Sequence, residues 1–242
     1  TVHDIRGYRS ANADERRKLL KDFGLSMHRP TRPGTAWARV TALGSYREVG
    51  RACHFVTTNE SRVMIDVGVN IASDTDPMPF FTAPEALPLE KLDAVVLTHS
   101  HLDHAGMLPV LFKYGYRGPV YCTPPTRDLM LLLQADYIKV SGAEGRSPPY
   151  DMEDIRTCMK HVVDVDWGET TDISPDIKLT FSNAGHILGS SAVHLHIGEG
   201  KHNIVFSGDQ KYEKSWLFDA ANTRFPKVET LVIESTYGAS GD

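Results

Sequence analysis

Six consecutive positions, His99-Ser100-His101-Leu102-Asp103-His104, hold three imidazoles and a carboxylate. Neutral imidazole nitrogens with a carboxylate oxygen suit zinc. The cluster follows Thr98 and the apolar run Ala94-Val95-Val96-Leu97, which reads as a buried strand. Histidines two apart at a strand end point to one face. Asp103 and His104 then fall where the chain turns into the next helix. One turn thus offers two pairs of ligands, enough to begin two metal sites.

Three further residues sit at similar strand ends. Asp209, in Ser207-Gly208-Asp209, closes the apolar stretch Ile204 to Phe206. An aspartate in a glycine turn is common; the upstream cluster is what makes its two oxygens candidates to bridge two metals. Asp66, in Ile65-Asp66-Val67-Gly68, lies within an apolar strand end and needs a partner there. Holding a ligand histidine from behind would supply one. His186, in Asn183-Ala184-Gly185-His186, follows a strand and runs into Gly189-Ser190-Ser191.

The elements that must position these residues follow from periodicity. Residues 11–28 read as a charged helix, ended by Pro30 and the Pro33-Gly34 pair. Short strands are expected at Trp37–Leu43, Ala52–Thr57, Arg62–Val67 and Ala94–Leu97, with a proline-containing surface loop over 72–90. A helix is expected over Asp103–Tyr114, a strand at Val120–Cys122, and helices at Pro125–Val140 and Met152–His161. Strands follow near Ile177–Ser182, Ala192–Ile197, Ile204–Ser207 and Thr230–Ile233, with Gly198-Glu199-Gly200 as a hairpin turn. Strand clusters separated by helices give an α/β layered fold, sheets inside and helices outside.

Length and composition set the bounds. The 242 residues allow one large domain or two small ones. No apolar run is long enough to span a bilayer, so no membrane partner is expected. Cys53, Cys122 and Cys158 are isolated and odd in number, which argues for a reducing, cytoplasmic compartment and for buried thiols. Net charge is −5, against a generic nucleic-acid binder, but residues 1–39 carry nine Lys/Arg against four Asp/Glu. Arg16, Arg17 and Lys18 on the first helix are therefore candidate contacts to a polyanion, a solvated helix face being the plain alternative. His3, His28, His54, His161, His194, His196 and His202 are read as structural, and Tyr212, Lys214 and Trp216 as surface packing.

The His99–His104 spacing resembles the HxHxDH signature of the metallo-β-lactamase superfamily. Asp66, then His99-His101-Asp103-His104, His186 and Asp209 are similar, in order, to its first four motifs. Glu234, in Ile233-Glu234-Ser235-Thr236-Tyr237-Gly238, resembles the acidic motif that opens the β-CASP branch, which processes nucleic acids. Thr41-Ala42-Leu43-Gly44 with Glu48-Val49-Gly50-Arg51 resembles that branch's opening hairpin. The basic head is similar to the segment joining RNA-binding KH domains to the core of archaeal cleavage and polyadenylation specificity factor-like ribonucleases.

The resemblance implies an αββα sandwich, incomplete, lacking the β-CASP cap and the C-terminal return. It implies residues 1–35 as a connector ending a KH-type region, and 36–242 as the N-terminal portion of the hydrolase domain. His99, His101 and His186 would hold one zinc, and Asp103, His104 and Asp209 a second, with Asp209 shared. A bridging hydroxide would attack the phosphodiester, Asp103 would orient it, and Glu234 would position a histidine beyond Asp242. The implied activity is a zinc-dependent ribonuclease, endonuclease or exonuclease, at transcript 3′ ends. Single-stranded RNA and the transcription machinery are the implied partners, with a homodimer made through regions C-terminal to this chain. The chain alone is expected to be inactive and to leave a sheet edge unpaired. The other readings are a thioester or lactam hydrolase of the same fold and a non-catalytic partner subunit, which should show ligand substitutions; none is seen.

Overall fold

The computed structural model describes residues 2–31, 37–73, 75–236 and 238, with the backbone alone for residues 2–4. The Pro33-Gly34 linker, the boundary at 35/36, Tyr237 and the side chain of His3 lie outside these residues.

The chain begins with two helices, α1 (Val2–Ala11) and α2 (Ala13–Met27). Among the described residues eleven strands follow: β1 (Ala38–Gly44), β2 (Cys53–Thr58), β3 (Arg62–Ile65), β4 (Ala94–Val96), β5 (Val120–Cys122), β6 (Val162–Asp164), β7 (Thr170–Ser174), β8 (Ile177–Asn183), β9 (Ser191–Ile197), β10 (His202–Phe206) and β11 (Thr230–Val232). Helices α3 (Leu102–Ala105) and α4 (Leu108–Lys113) lie between β4 and β5, and α5 (Pro124–Ala143) and α6 (Met152–His161) between β5 and β6. One sheet runs β1-β2-β3-β4-β5-β6 and the other β11-β10-β9-β8-β7. Strands β3 to β6 are parallel, as helical crossovers require for β4–β5–β6.

Strand alternation sorts the core into two layers. Val63, Ile65, Ala94 and Val96 face the second sheet and meet Leu179, Phe181, Val193, Leu195 and Phe206. Met64 and Val95, one residue out of phase, face the helices and meet Leu108, Leu111, Phe112 and Ile155. All three cysteines are buried and free. The outer positions of the second sheet mix polar residues (Thr180, His194, His196, Asn203) with Ala192, Val205 and Leu231, and Phe225, from the long segment between β10 and β11, lies edge-on to His194. Among the described residues, no helix follows β6.

The helix expected over 11–28 is preceded by α1, whose Ile5 is buried. The head is docked on the sheet: Arg9 pairs with Asp164 at 3.0 Å, and Lys160 with Glu15 at 3.0 Å. The helix expected over 103–114 is two, α3 and α4, broken at Gly106-Met107 with Pro109 in the first turn of α4. Strands β6 and β7 were not expected. The first is three residues long and follows α6 directly, and the second reads Thr-Thr-Asp-Ile-Ser, with little apolar signal.

Candidate metal centre

The candidate ligands gather at one end of the two sheets. Parallel strand β4 delivers Thr98 and His99 past its last residue, and His101 is the N-cap of α3. Its carbonyl accepts from the N–H of His104 at 3.0 Å and of Ala105 at 2.8 Å, so the helix starts on a candidate ligand. His186 arrives on the turn after β8, its N–H donated to Ser190 Oγ at 3.1 Å. Asp209 arrives after β10 through Gly208, whose φ of +54° suits glycine and whose missing Cβ would meet Thr98 at 2.8 Å. Gly68 is constrained more tightly, since a Cβ there would lie 1.6 Å from the carbonyl oxygen of Asp103. That carbonyl accepts the Ala52 N–H at 2.8 Å, which ties α3 to the neighbouring hairpin.

Two donor sets result. His99, His101, His186 and Asp209 form one; Asp103, His104 and Asp209 form the other. In the first, His101 Nδ1 lies 3.1 Å from His99 Nε2 and 3.2 Å from His186 Nε2. Asp209 Oδ2 lies 3.9 Å from His99 Nε2 and 3.6 Å from His186 Nε2. A tetrahedral ion with bonds of about 2.0–2.1 Å keeps its donors about 3.4 Å apart. The observed spacings bracket that value, and the donors are nitrogen and carboxylate oxygen, so the residues fit a zinc-type ion. In the second set, His104 Nε2 lies 3.2 Å from Asp209 Oδ1 and 3.8 Å from Asp103 Oδ2. Asp209 therefore turns one oxygen to each set.

Behind the ligands lies Asp66, buried and at a φ of +60°. Its Oδ1 accepts the Thr98 N–H at 2.8 Å, and its Oδ2 accepts the Thr98 hydroxyl at 2.8 Å and His104 Nδ1–H at 2.7 Å. Because the Thr98 hydroxyl donates to Asp66, its oxygen accepts from His99 Nδ1 at 3.0 Å. Once neutral, both imidazoles turn an Nε2 lone pair toward the donor sets. Thr98 has no place among the sequence candidates; its position between Asp66 and His99 was the available signal.

Burial, with help from His104, His101 and His186, holds His99 well below the ordinary histidine range. Burial and then His186 lower His101. Burial also works against charge on His104, but Asp66 and Asp209 outweigh it and carry the ring well above that range. For Asp209 burial favours the neutral acid, and the hydrogen bond with His104 prevails, keeping the carboxyl low. Without an ion, a proton thus serves the second set. Binding an ion there must expel it.

A cleft of about 460 Å³ opens over the second set. Asp103, His104 and Asp209 line its floor, Glu234 one wall, and the β1–β2 loop with Tyr46 and Arg47 another. Glu234 donates its N–H to Ser207 Oγ at 3.0 Å, and its Oε2 accepts the Thr236 N–H at 3.0 Å. His54, read from sequence as structural, also lines the cleft, opposite Ile65 in the β2–β3 register and next to Asp66.

The three candidate RNA contacts separate. Arg16 turns inward, its Nη1 2.6 Å from the carbonyl of Lys160 and 3.3 Å from that of Val162 at the end of α6. Arg17 is exposed and pairs with Asp14 at 2.7 Å, and Lys18 is exposed. The rings of His194 and His196 lie tilted against each other at 4.0 Å between centroids, and neither belongs to a donor set. Trp216, expected to pack on the surface, is fully exposed, and Tyr212 is more than half exposed.

A family model described as "Beta-lactamase superfamily domain" matches residues 61–240. "Transcription termination factor FttA" of Methanosarcina mazei is 55% identical over 238 residues, covering 98% of this chain and 37% of that protein. The protein of the same name from Methanothermobacter thermautotrophicus is 51% identical over 243 residues, covering 100% of this chain and 38% of that one. The chain thus spans a little over a third of the length of these curated relatives. A solved structure, the metallo-beta-lactamase fold protein YhfI from Bacillus subtilis, has 18% identity and a TM-score of 0.48, with 73% of this chain and 65% of that one covered.

Proposed function

This chain belongs to the beta-lactamase superfamily, and we propose that it carries the metal centre of a ribonuclease of the β-CASP branch, acting on single-stranded RNA at transcript 3′ ends in transcription termination. The observation that carries the reading is Asp209, which turns Oδ1 to His104 at 3.2 Å and Oδ2 to His186 at 3.6 Å. A carboxylate shared in this way between an imidazole-rich set and a mixed set is how two ions are held side by side.

Two zinc ions bound there supply Lewis acidity toward a phosphoryl oxygen and activate water near neutral pH. His99, His101, His186 and Asp209 would hold one, and Asp103, His104 and Asp209 the other. Asp66 orients His104 directly and His99 through Thr98. Asp103, on the cleft floor, orients the attacking water. Glu234, on the wall, orients the proton donor for the leaving oxygen. The relatives' name and the β-CASP-like Glu234 motif support RNA as substrate over a thioester or lactam.

The test is metal analysis of the purified whole protein, with cleavage of a 5′-labelled single-stranded RNA and turnover of a thioester and a lactam in parallel. Two zinc ions per chain, RNA cleavage, and loss of both ions and cleavage in Asp209→Ala are expected. A zinc-loaded protein that turns over only the thioester or the lactam would overturn the reading. So would a wild-type protein that takes up no zinc.

A further inference from the structure

The β1–β2 loop, residues 45–51, is built more firmly than a hairpin loop needs. Arg51 is fixed on both sides: its Nε meets Glu48 at 2.7 Å, it pairs with Asp76, and it lies 5.3 Å over the ring of Phe80. The Ser45 N–H donates to Glu48 Oε1 at 3.3 Å. Ser45 and Arg47 are held at φ of +66° and +64°, a region that side-chain-bearing residues rarely enter. Backbone strain of this kind persists only where the surroundings impose it, and it concentrates at functional sites.

The fixed loop presents two side chains to the cleft. Tyr46 is 45% exposed and is held from behind. Its hydroxyl lies 3.0 Å from His54 Nδ1, the two rings meet edge-on at 5.4 Å, and His54 in turn lies against Phe206 at 5.1 Å. Arg47 is exposed and, unlike Arg51, has no acidic partner among the described residues. Among the described residues it is the one Lys or Arg lining a cleft whose carboxylates are Glu48, Asp66, Asp103, Asp209 and Glu234. A free guanidinium at the mouth of an acidic, metal-type centre, beside a half-exposed aromatic ring, matches one nucleotide: a phosphate for the fork and a base for the ring.

Resting on the RNA reading above, we propose that Arg47 and Tyr46 form a nucleotide subsite next to the scissile position. Arg47 holds the phosphate adjacent to the one being cleaved, and Tyr46 stacks on its base. Both are positioning residues. They draw the strand across the cleft and set its register on the metal ligands without touching the reacting atoms.

The experiment uses the whole protein and two readouts, steady-state cleavage of single-stranded RNA and RNA binding by fluorescence anisotropy across a salt series. Arg47→Ala is expected to raise KM about tenfold with kcat within about twofold. It should also flatten the slope of log Kd against log salt by about 0.7, the share of one phosphate on a single strand. Arg47→Lys keeps the slope and regains part of the affinity. Arg47→Gly relieves the left-handed backbone, so it should be at least as stable as wild type and yet lose RNA as Arg47→Ala does. A merely structural role predicts the reverse. Tyr46→Ala should weaken binding about fivefold or more, and Tyr46→Phe should not. Wild-type KM and salt slope in Arg47→Ala would overturn the proposal. If the wild type cleaves no RNA, the functional reading fails at that step, while the anisotropy series, repeated on a His99→Ala background, still decides the subsite.

Discussion

Replacing Asp66 by Asn exchanges one buried oxygen for an NH₂ and leaves the shape and the backbone as they were. Asn tolerates a φ of +60° as well as Asp does, so backbone strain does not confound the comparison. The amide oxygen can still accept the Thr98 N–H, now at 2.8 Å. The NH₂ then takes the place of Oδ2, where the Thr98 hydroxyl and His104 Nδ1–H both donate. Three donors would face one another. Relief requires His104 to give up its Nδ1 proton while keeping the one on Nε2, aimed at Asp209 Oδ1, and the Thr98 hydroxyl to reverse toward His99 Nδ1. Loss of two bonds to a buried carboxylate should cost about 2–4 kcal/mol of stability in the metal-free protein. The second donor set should lose about 10–100-fold in metal affinity, and the first set less, through the Thr98–His99 link. Urea unfolding of the metal-free protein measures the first quantity. Zinc titration against a competing chelator measures the second. An Asp66→Asn protein with the wild-type urea midpoint and two wild-type zinc affinities would refute the claim that Asp66 sets the tautomers of both rings.

Three other perturbations separate roles that the fold assigns. Burial depresses His54 to about 4; since its unfolded value is about 6.5, it contributes stability that is complete above pH ~6.5 and is lost as pH falls toward 4, up to about 3 kcal/mol. Denaturant midpoints of metal-free wild type and His54→Gln across that window should converge at low pH; parallel curves would reject it. Arg16→Ala should destabilise by about 1–2 kcal/mol by uncapping the α6 carbonyls, whereas Arg17→Glu with Lys18→Glu should leave the midpoint within about 0.5 kcal/mol and weaken RNA binding at low salt; equal effects of the two on stability would contradict the inward placement of Arg16. Gly68→Ala should cost more than about 3 kcal/mol, because its Cβ meets the Asp103 carbonyl at 1.6 Å, and a thermal melt near wild type would show that α3 has room to shift.

The convergence of the candidate ligands was legible in the sequence because strand termini, turn residues and side chains able to bind a metal coincide at Leu97–His104, Phe206–Asp209 and Ile65–Asp66. Each of these segments carries an apolar run that fixes its depth and a polar residue placed just past the end. Tertiary direction was not legible. Arg16, Arg17 and Lys18 are adjacent and equally basic, and only the docking of α2 against α6 decides that Arg16 faces in while its neighbours face water. His54 shows the same limit: alternation placed it on a strand, but the strand's neighbours decide that its face borders the cleft. Strands β6 and β7 were missed because three residues, or five mostly polar ones, carry too little periodicity to distinguish them from loop.

Asp209 also determines how two ions held as proposed would count. One carboxylate turned to both sets means that their occupancies cannot be independent. A first ion would fix the side-chain torsions of Asp209, so a second would meet an oxygen already aimed, an advantage worth up to about 1 kcal/mol of rotamer entropy. The same ion would withdraw charge from that oxygen and repel a second dication. The balance of the two sets the shape of the loading curve, sigmoidal if alignment prevails and stretched over decades of concentration if repulsion does. Reciprocity then fixes one number for both directions: whatever factor the His99-His101-His186 ion imposes on its neighbour's affinity, the neighbour imposes on it.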